Sequence, residues 1–304
     1  MRRLLATACN LAYIDGARGM LRSHRAFNPG VPAYCYAPAD EVAELQARLG
    51  ELATVLPLGR VLRGVPDTLL LRLMTARAFI SELPGDVTAW VDSDAIFCAP
   101  APELWEVPAG RVNVIRDPGY TLGEMVPSDA AGRFFTPDFP FGPGHDAFNG
   151  GVFAFRNAEW PDFPAQFEAA LAEIGYPFYP VYFDQPTLNR MFLARANWLP
   201  FAFNATAVNE VGVPRDVRVL HYTNFAAKPW SPKFPRHEPA YYYWVRHGEG
   251  VGDPVRLALL WAYIQSCRPL WYARRAARKL RYLLGGLRHD KAKDNVGIFA
   301  RVES

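Results

Sequence analysis

Short apolar runs alternating with helix-patterned stretches predict an α/β fold, a mixed but mainly parallel sheet flanked by helices. Three observations carry that expectation. The strand-then-helix rhythm repeats without a break over the first ninety or so residues. The strands are continuously apolar rather than alternating, as in a sheet covered on both faces. And 304 residues, 50% of them apolar, suffice for one sizeable core with an appendage.

The elements follow in chain order. Leu4-Leu5-Ala6-Thr7-Ala8 reads as the first buried strand. Arg2 and Arg3 ahead of it superficially resemble the start of a secretory leader, but Asn10 interrupts the apolar run and Asp15 follows with no cleavage site. Residues 21–27 have a helical pattern, and Ala33-Tyr34-Cys35-Tyr36 reads as the second strand. Residues 41–49 form a helix stopped by Gly50, and Thr54-Val55-Leu56 is the third strand. A long helical stretch over 69–83 ends at Pro84-Gly85, after which Val87-Thr88-Ala89-Trp90-Val91 runs straight into Asp92. Residues 117–148 are rich in Pro, Gly and Asp and read as a long loop or lid. Val152–Phe155 is a strand, 163–174 a helix, and 184–192 another, with Pro186 tolerated in its first turn. Val217–Tyr222 is a late strand. From Pro254 onward the pattern is helical, which divides the chain into a body of residues 1–235 and a helical extension over 236–304.

Composition narrows the function. Aromatics at 14% exclude a disordered chain, and no window approaches ~18 uninterrupted apolar residues, so no spanning helix is expected. Cys9, Cys35, Cys98 and Cys267 are scattered without C-x-x-C spacing; neither a zinc site nor a disulfide framework follows, and a reducing compartment is the simpler expectation. The net charge of +3 conceals an asymmetry: residues 268–293 carry +8, leaving −5 on the rest. A mildly acidic body with a basic tail is not the footprint of a nucleic-acid binder; it points to a docking segment. That segment intersperses Trp271, Tyr272, Leu280, Tyr282, Leu283, Leu284 and Leu287 with its cations. It could lie in an anionic membrane interface, or pack on the body, or join two copies.

Asp92-Ser93-Asp94 closes a buried strand, on the sheet edge where open α/β folds bind ligands. If the chain bends there, two carboxylates can meet one divalent cation, and hard oxygens suit Mg²⁺ or Mn²⁺. A turn or helix cap would use the same residues. His221 closes a second apolar strand, with Lys228-Pro229-Trp230 following. A neutral imidazole could complete the metal shell and Lys228 could meet phosphate oxygens, although a strand-end histidine is often structural.

Val91-Asp92-Ser93-Asp94, Phe148-Asn149-Gly150-Gly151-Val152, Asp184-Gln185-Pro186-Thr187-Leu188-Asn189 and His221-Tyr222 through Lys228-Pro229-Trp230 come in the order found in glycosyltransferase family 8. The resemblance spans roughly residues 4–230. It implies a GT-A fold over 1–235, a nucleotide-sugar donor such as a UDP-sugar, a Mn²⁺-like ion (or Mg²⁺) and retention of anomeric configuration. It implies Asp92, Asp94 and His221 as metal ligands, with Ser93 beside the donor. Asn149 would contact the donor sugar, with Gly150 and Gly151 allowing close backbone approach. Gln185 would face the anomeric carbon and Asp184 would hold sugar hydroxyls, unless the pair merely caps its helix. Arg77, or failing it Arg72, resembles the basic residue near the donor phosphate, and Asp117 a sugar contact. Asn10 and Tyr13 resemble the first-strand positions that hold base and ribose.

The chain also departs from the family. It has Asn224 where a glycine is usual, its lysine comes one residue late, and Pro186 replaces an acidic residue. The reading is therefore a divergent hexosyltransferase acting on a glycan or lipid-linked acceptor in polysaccharide or lipopolysaccharide assembly. It would be cytoplasmic and peripheral on the inner face of the plasma membrane. Two other functions stay open: a sugar nucleotidyltransferase, for which residues 10–18 lack the Gly-rich basic loop, and a binding protein that kept the fold without turnover.

Overall fold

The computed structural model describes residues 1–63, 65, 68–126, 128–175, 184–206, 213, 215–223 and 227–285. Its first half follows the expected alternation: β1 (Arg3–Ala8), α1 (Ile14–Phe27), β2 (Ala33–Ala37), α2 (Val42–Leu49), β3 (Thr54–Pro57), α3 (Leu69–Thr75) and β4 (Val87–Val91). The stretch expected as one helix over 69–83 changes pitch, with a 3-10 segment over Ala76–Glu82 after α3. Next come β5 (Ala95–Phe97), β6 (Val112–Thr121), α4 (Leu122–Met125), α5 (Ala131–Phe134), β7 (Asp146–Arg156), α6 (Phe163–Ile174) and α7 (Asp184–Phe192). β8 (Ala196–Leu199), β9 (Ala205–Thr206), β10 (Val219–His221), α8 (Pro239–Tyr243) and α9 (Pro254–Gly285) complete the order.

A seven-stranded sheet in the order β3-β2-β1-β4-β7-β6-β8 forms the centre. β3, β2, β1 and β4 run parallel, β7 lies antiparallel between β4 and β6, and β8 is parallel to β6. Apolar clusters cover both faces, which is why the strands of the first half lack a polar side. One cluster gathers Trp90, Phe153, Phe155, Phe163 and Phe192 beneath α6 and α7; the other packs Ile14, Ala17, Met20 and Leu21 of α1 against Leu5, Val91 and Val152.

Three register relations build a site at one sheet edge. Ala6 pairs with Trp90, so the end of β1 and Asp92 emerge together. Val91 pairs with Val152, and the Asp92 amide donates to the Gly151 carbonyl at 2.9 Å. A second, three-stranded sheet β5-β10-β9 then sets His221 opposite Ala95, immediately after the acidic turn.

The expected open loop over 117–148 is not one. β6 continues to Thr121, a Thr121–Glu124 capping box starts α4, and Leu122, Met125, Phe134 and Phe139 are buried. The Pro and Gly density marks breaks between short elements, whereas the isolated aromatics bury apolar area. Asn149-Gly150-Gly151 lies inside β7. At the other end, the turn after α8, Trp244–Gly248, packs on α1. The Trp244 ring fills the space that Gly19 leaves open, and Arg22 donates to the carbonyls of Gly248 and Glu249 at 3.2 and 2.9 Å.

Candidate active site

The chain bends directly after β4: Asp92 accepts from the Ala95 amide at 3.0 Å, so residues 92–95 form a tight turn. Both carboxylates therefore face one spot, where an extended strand would have sent them to opposite sides. His221 reaches the same spot. Its Nε2 is 3.0 Å from Asp94 Oδ1 and 3.6 Å from Asp92 Oδ2, and the imidazole is 2% exposed. The Tyr222 amide donates to the Asp94 carbonyl at 2.9 Å, which pins the two segments together.

Lys228 donates from Nζ to Asp94 Oδ2 and to the Tyr222 carbonyl, both at 2.8 Å. Burial alone would raise the Asp94 carboxyl, but Lys228 and His221 outweigh it and hold it well below the usual carboxylate range. Burial would likewise lower His221, and the neighbouring Asp94 and Asp92 carboxylates reverse the sign and raise it. These opposed charges make a compact polar centre at the sheet edge.

Arg77 braces the centre from the opposite side. Its Nη2 donates to Asp92 Oδ1 at 3.0 Å and its Nη1 to the Gly150 carbonyl at 2.9 Å; Nη1 also lies 2.7 Å from Asp184 Oδ2. The guanidinium stacks over Trp90, whose Nε1 donates to Asp92 Oδ1 at 2.6 Å. Arg77 thus lies against the acidic turn, whereas Arg72, the alternative to it, sits half-buried on α3. Asp184 is 3% exposed, and burial raises its carboxyl despite the adjacent Arg77.

Gln185, Asp117 and Asn149 form one cluster. Gln185 Oε1 accepts from the Gly150 amide and its Nε2 donates to Asp117 Oδ2, each at 3.3 Å. Asn149 Nδ2 donates to the same Asp117 oxygen at 3.1 Å. Burial raises the Asp117 carboxyl against these donors and the Gly119 amide. Asn189 clamps α7 to β7 by accepting from the Phe148 amide and donating to its carbonyl, at 2.9 and 3.0 Å. That clamp fixes how far Asp184 and Gln185 reach over Gly150.

The first-strand pair lies on the other flank. Asn10 caps the turn after β1 by accepting from the Tyr13 amide at 3.1 Å. Tyr13 is half-buried with its ring edge-on to Trp230 at 5.8 Å, and burial together with Asp94 raises its phenol against Lys228. The Ser93 carbonyl faces Gly16, where a methyl group would stand 2.8 Å from it. Apart from the alternative Arg72, the residues expected to hold metal, donor or anomeric centre are at this edge; Asn224 lies outside the described residues. Two were not foreseen. Trp90 belongs to a strand and gave no motif, and Asn204 precedes β9 in a stretch, Phe201-Ala202-Phe203-Asn204, that carries no signal of its own.

Asp92, Asp94 and His221 each offer one ligand atom, all within 4.8 Å of one another. Two carboxylate oxygens and one imidazole nitrogen are a donor set for a divalent cation, and the buried, hydrogen-bonded histidine sets the group apart from an ordinary acidic surface.

No family model matches the chain, and no curated protein matches it in sequence. Solved structures do. It is similar to the bifunctional glycosyltransferase WbbM (TM-score 0.57, 15% identity), covering 84% of this chain and 51% of that one. It is similar to the galactosyltransferase LgtC solved with donor and acceptor sugar analogues (TM-score 0.56, 15% identity), covering 82% and 96%. The glycosyltransferase GlyE of Streptococcus pneumoniae matches at TM-score 0.55 and 16% identity, over 88% of this chain and 64% of its own. The chain thus spans about half of WbbM, under two thirds of GlyE and nearly all of LgtC. These likenesses establish the fold, which is the mixed α/β GT-A fold.

Proposed function

We propose that the chain is a divergent member of glycosyltransferase family 8: a metal-dependent, retaining enzyme that moves a hexose-type sugar from a nucleoside diphosphate, a UDP-sugar, to a glycan or glycolipid. The observation that carries this is the meeting of Asp92, Asp94 and His221 around one spot. The turn after β4 supplies the two carboxylates and the end of β10 the imidazole, and Arg77 and Lys228 lie against the same carboxylates. That LgtC was solved with donor and acceptor sugar analogues supports the substrate class.

A Mn²⁺ or Mg²⁺ ion held by these three residues would neutralise charge on the departing diphosphate. The chain's own groups do the rest. Tyr13 and the Asn10 turn border the flank suited to the nucleoside, and Lys228 supplies a cation for phosphate oxygens. Arg77 holds Asp92 and Asp184 in register with the Gly150 backbone. Gln185, oriented by Gly150 and Asp117, presents its amide beside the place for the anomeric carbon. Asp184 and Asp117 are both buried and engaged by Arg77 or by amides, which favours attack by the acceptor from the leaving-group side over a covalent sugar ester. We further propose that residues 268–293 dock on an anionic membrane surface on the cytoplasmic side, where a lipid-linked acceptor would be presented. Among the described residues no helix is long and apolar enough to cross a membrane.

The decisive experiment incubates the protein with a panel of radiolabelled nucleotide sugars, with and without Mn²⁺. Transfer or hydrolysis that needs the metal and disappears in a folded Asp94→Asn variant is the expected result. Pyrophosphate-dependent synthesis would instead identify a nucleotidyltransferase. Binding without turnover would identify a protein that kept the fold alone.

A further inference from the structure

Asn204 is 1% exposed, so its amide must find partners inside the protein or carry a desolvation cost. It finds two. Its Oδ1 lies 3.0 Å from His221 Nδ1, and its Nδ2 donates to Asn149 Oδ1, also at 3.0 Å. The polarity of this arrangement follows from a backbone group that has only one role. The Gly151 amide donates to Asn149 Oδ1 at 2.9 Å, so that atom is an oxygen and an acceptor. The Asn204 atom facing it must then be the NH₂ donor. The other Asn204 atom is therefore the carbonyl oxygen, and His221 Nδ1 must carry the proton that points at it. At the far end Asn149 Nδ2 donates to Asp117 Oδ2, which also receives Gln185 Nε2, and Gln185 Oε1 is fixed in turn by the Gly150 amide. A continuous hydrogen-bonded chain, three amides and the Asp117 carboxylate, joins His221 to Gln185, with Asn149 and Gln185 each oriented by one of two consecutive backbone N–H groups.

We propose that Asn204 is a positioning residue: it holds His221 with Nδ1 protonated and Nε2 turned toward Asp92 and Asp94, and through Asn149 it ties that orientation to the Gln185–Asp117 cluster. The inference rests on reading Asp92, Asp94 and His221 as metal ligands. It explains why the residue is an amide. A carboxylate of the same shape could still accept from Nδ1–H, but would set a second acceptor against Asn149 Oδ1. A leucine would supply neither bond. The two halves of the role are thus separable by substitution.

The test compares Asn204→Leu and Asn204→Asp with the parent in the full chain, with folding checked by circular dichroism. Mn²⁺ affinity is measured by calorimetry without any sugar, and donor turnover separately. Asn204→Leu is expected to weaken Mn²⁺ binding by about ten- to a hundredfold, the usual range for a lost partner of a metal-binding histidine. Asn204→Asp is expected to keep the parent's Mn²⁺ affinity while turnover falls, because only the link to Asn149 is broken. Parental Mn²⁺ affinity in folded Asn204→Leu, or unchanged turnover in Asn204→Asp, would overturn the proposal. If Asn204→Leu does not fold, the aspartate variant decides alone. A metal-free readout separates this inference from the transferase reading. In ¹⁵N-histidine spectra, a protected Nδ1–H of His221, identified by its absence in His221→Gln, should be present in the parent and lost in Asn204→Leu. Were the parent to bind no Mn²⁺, an equal signal in both would still overturn the role of Asn204. Mn²⁺ binding and that signal without sugar turnover would sink the transferase reading and leave the positioning role standing.

Discussion

A methyl group on Gly151 would overlap the imidazole Cε1 of His221 and stand 2.8 Å from both His221 Nδ1 and Asp92 Oδ2. Glycine in mid-strand weakens a sheet, and two in succession at 150 and 151 weaken it more. The cost is offset by what the missing side chains admit. At 150 a methyl would lie 2.8 Å from Arg77 Nη1, so that glycine lets the guanidinium reach the backbone. At 151 it lets the histidine approach β7 between Asp92 and Asn204. Neither glycine has a positive φ, so the need is for space and not for backbone freedom. Gly151→Ala should therefore displace the imidazole from the carboxylates while the buried Val152–Phe155 core keeps the strand intact. The expected result is a loss of Mn²⁺ affinity of at least about tenfold with an unchanged circular dichroism spectrum. A variant that binds Mn²⁺ like its parent would show that His221 has room to spare and is not held against the metal pocket by this surface.

Helix α1 both shapes the site and exposes the fold to acid. Its first turns leave Gly16 open to the Trp230 ring and the Ser93 carbonyl, and Gly19 open to Trp244, so two segments from the far end of the chain dock on it. Its last turn buries His24 against Phe97 and Trp105, at 5.1 and 5.9 Å between rings, with Nε2–H donating to the Val31 carbonyl at 2.9 Å. Burial lowers this histidine from 6.5 to about 4, against the small opposing pull of the Val31 carbonyl. Between those two values the unfolded chain binds a proton that the folded chain refuses, so stability falls as pH drops through the window and levels off below it. For this one group the loss is about 3 kcal/mol. His247, lowered to about 4 by burial and by Arg246, titrates in the same direction and packs on Phe27 of the same helix. Urea unfolding at pH 7.5 and pH 4.5 should show a marked drop in the parent and a smaller one in His24→Gln, whose amide can still donate to Val31. Equal drops would place the acid sensitivity elsewhere.

Across the whole molecule, what was legible in the sequence divides by whether the signal is local. The buried strands of the first half and helices α6 and α7 announce themselves by unbroken apolar runs and clear stops. The acidic turn, the histidine and the Asp184-Gln185 pair announce themselves by chemistry at strand or helix ends. Long-range closure has no such mark: β5, β8 and β9 are two to four residues long, and Asn204 acts only because β9 pairs with β10. The stretch over 117–148 misled because its Pro and Gly breaks are local and its Phe134 and Phe139 burial is not. Charge is a whole-molecule property that the sequence did disclose, +8 over residues 268–293 against −5 on the rest. The fold adds a second ingredient beside it. Val255, Leu259 and Tyr263, four residues apart on one face of the first turns of α9, are three of the six large apolar residues exposed among those described. An apolar helix face leading into a cationic segment is the pairing that an anionic bilayer interface rewards, with each Lys or Arg near the surface contributing about 1 kcal/mol at low salt. The two ingredients predict different salt responses. The full chain should sediment with phosphatidylglycerol vesicles and be released by salt. A chain ending at residue 267 retains only the apolar face, so it should bind weakly, without salt dependence, and with donor hydrolysis intact because no residue of the candidate site has been removed. Equal, salt-sensitive binding by both chains would move the docking surface from the basic segment to the body. Loss of hydrolysis in the short chain would mean that α9 supports the site itself.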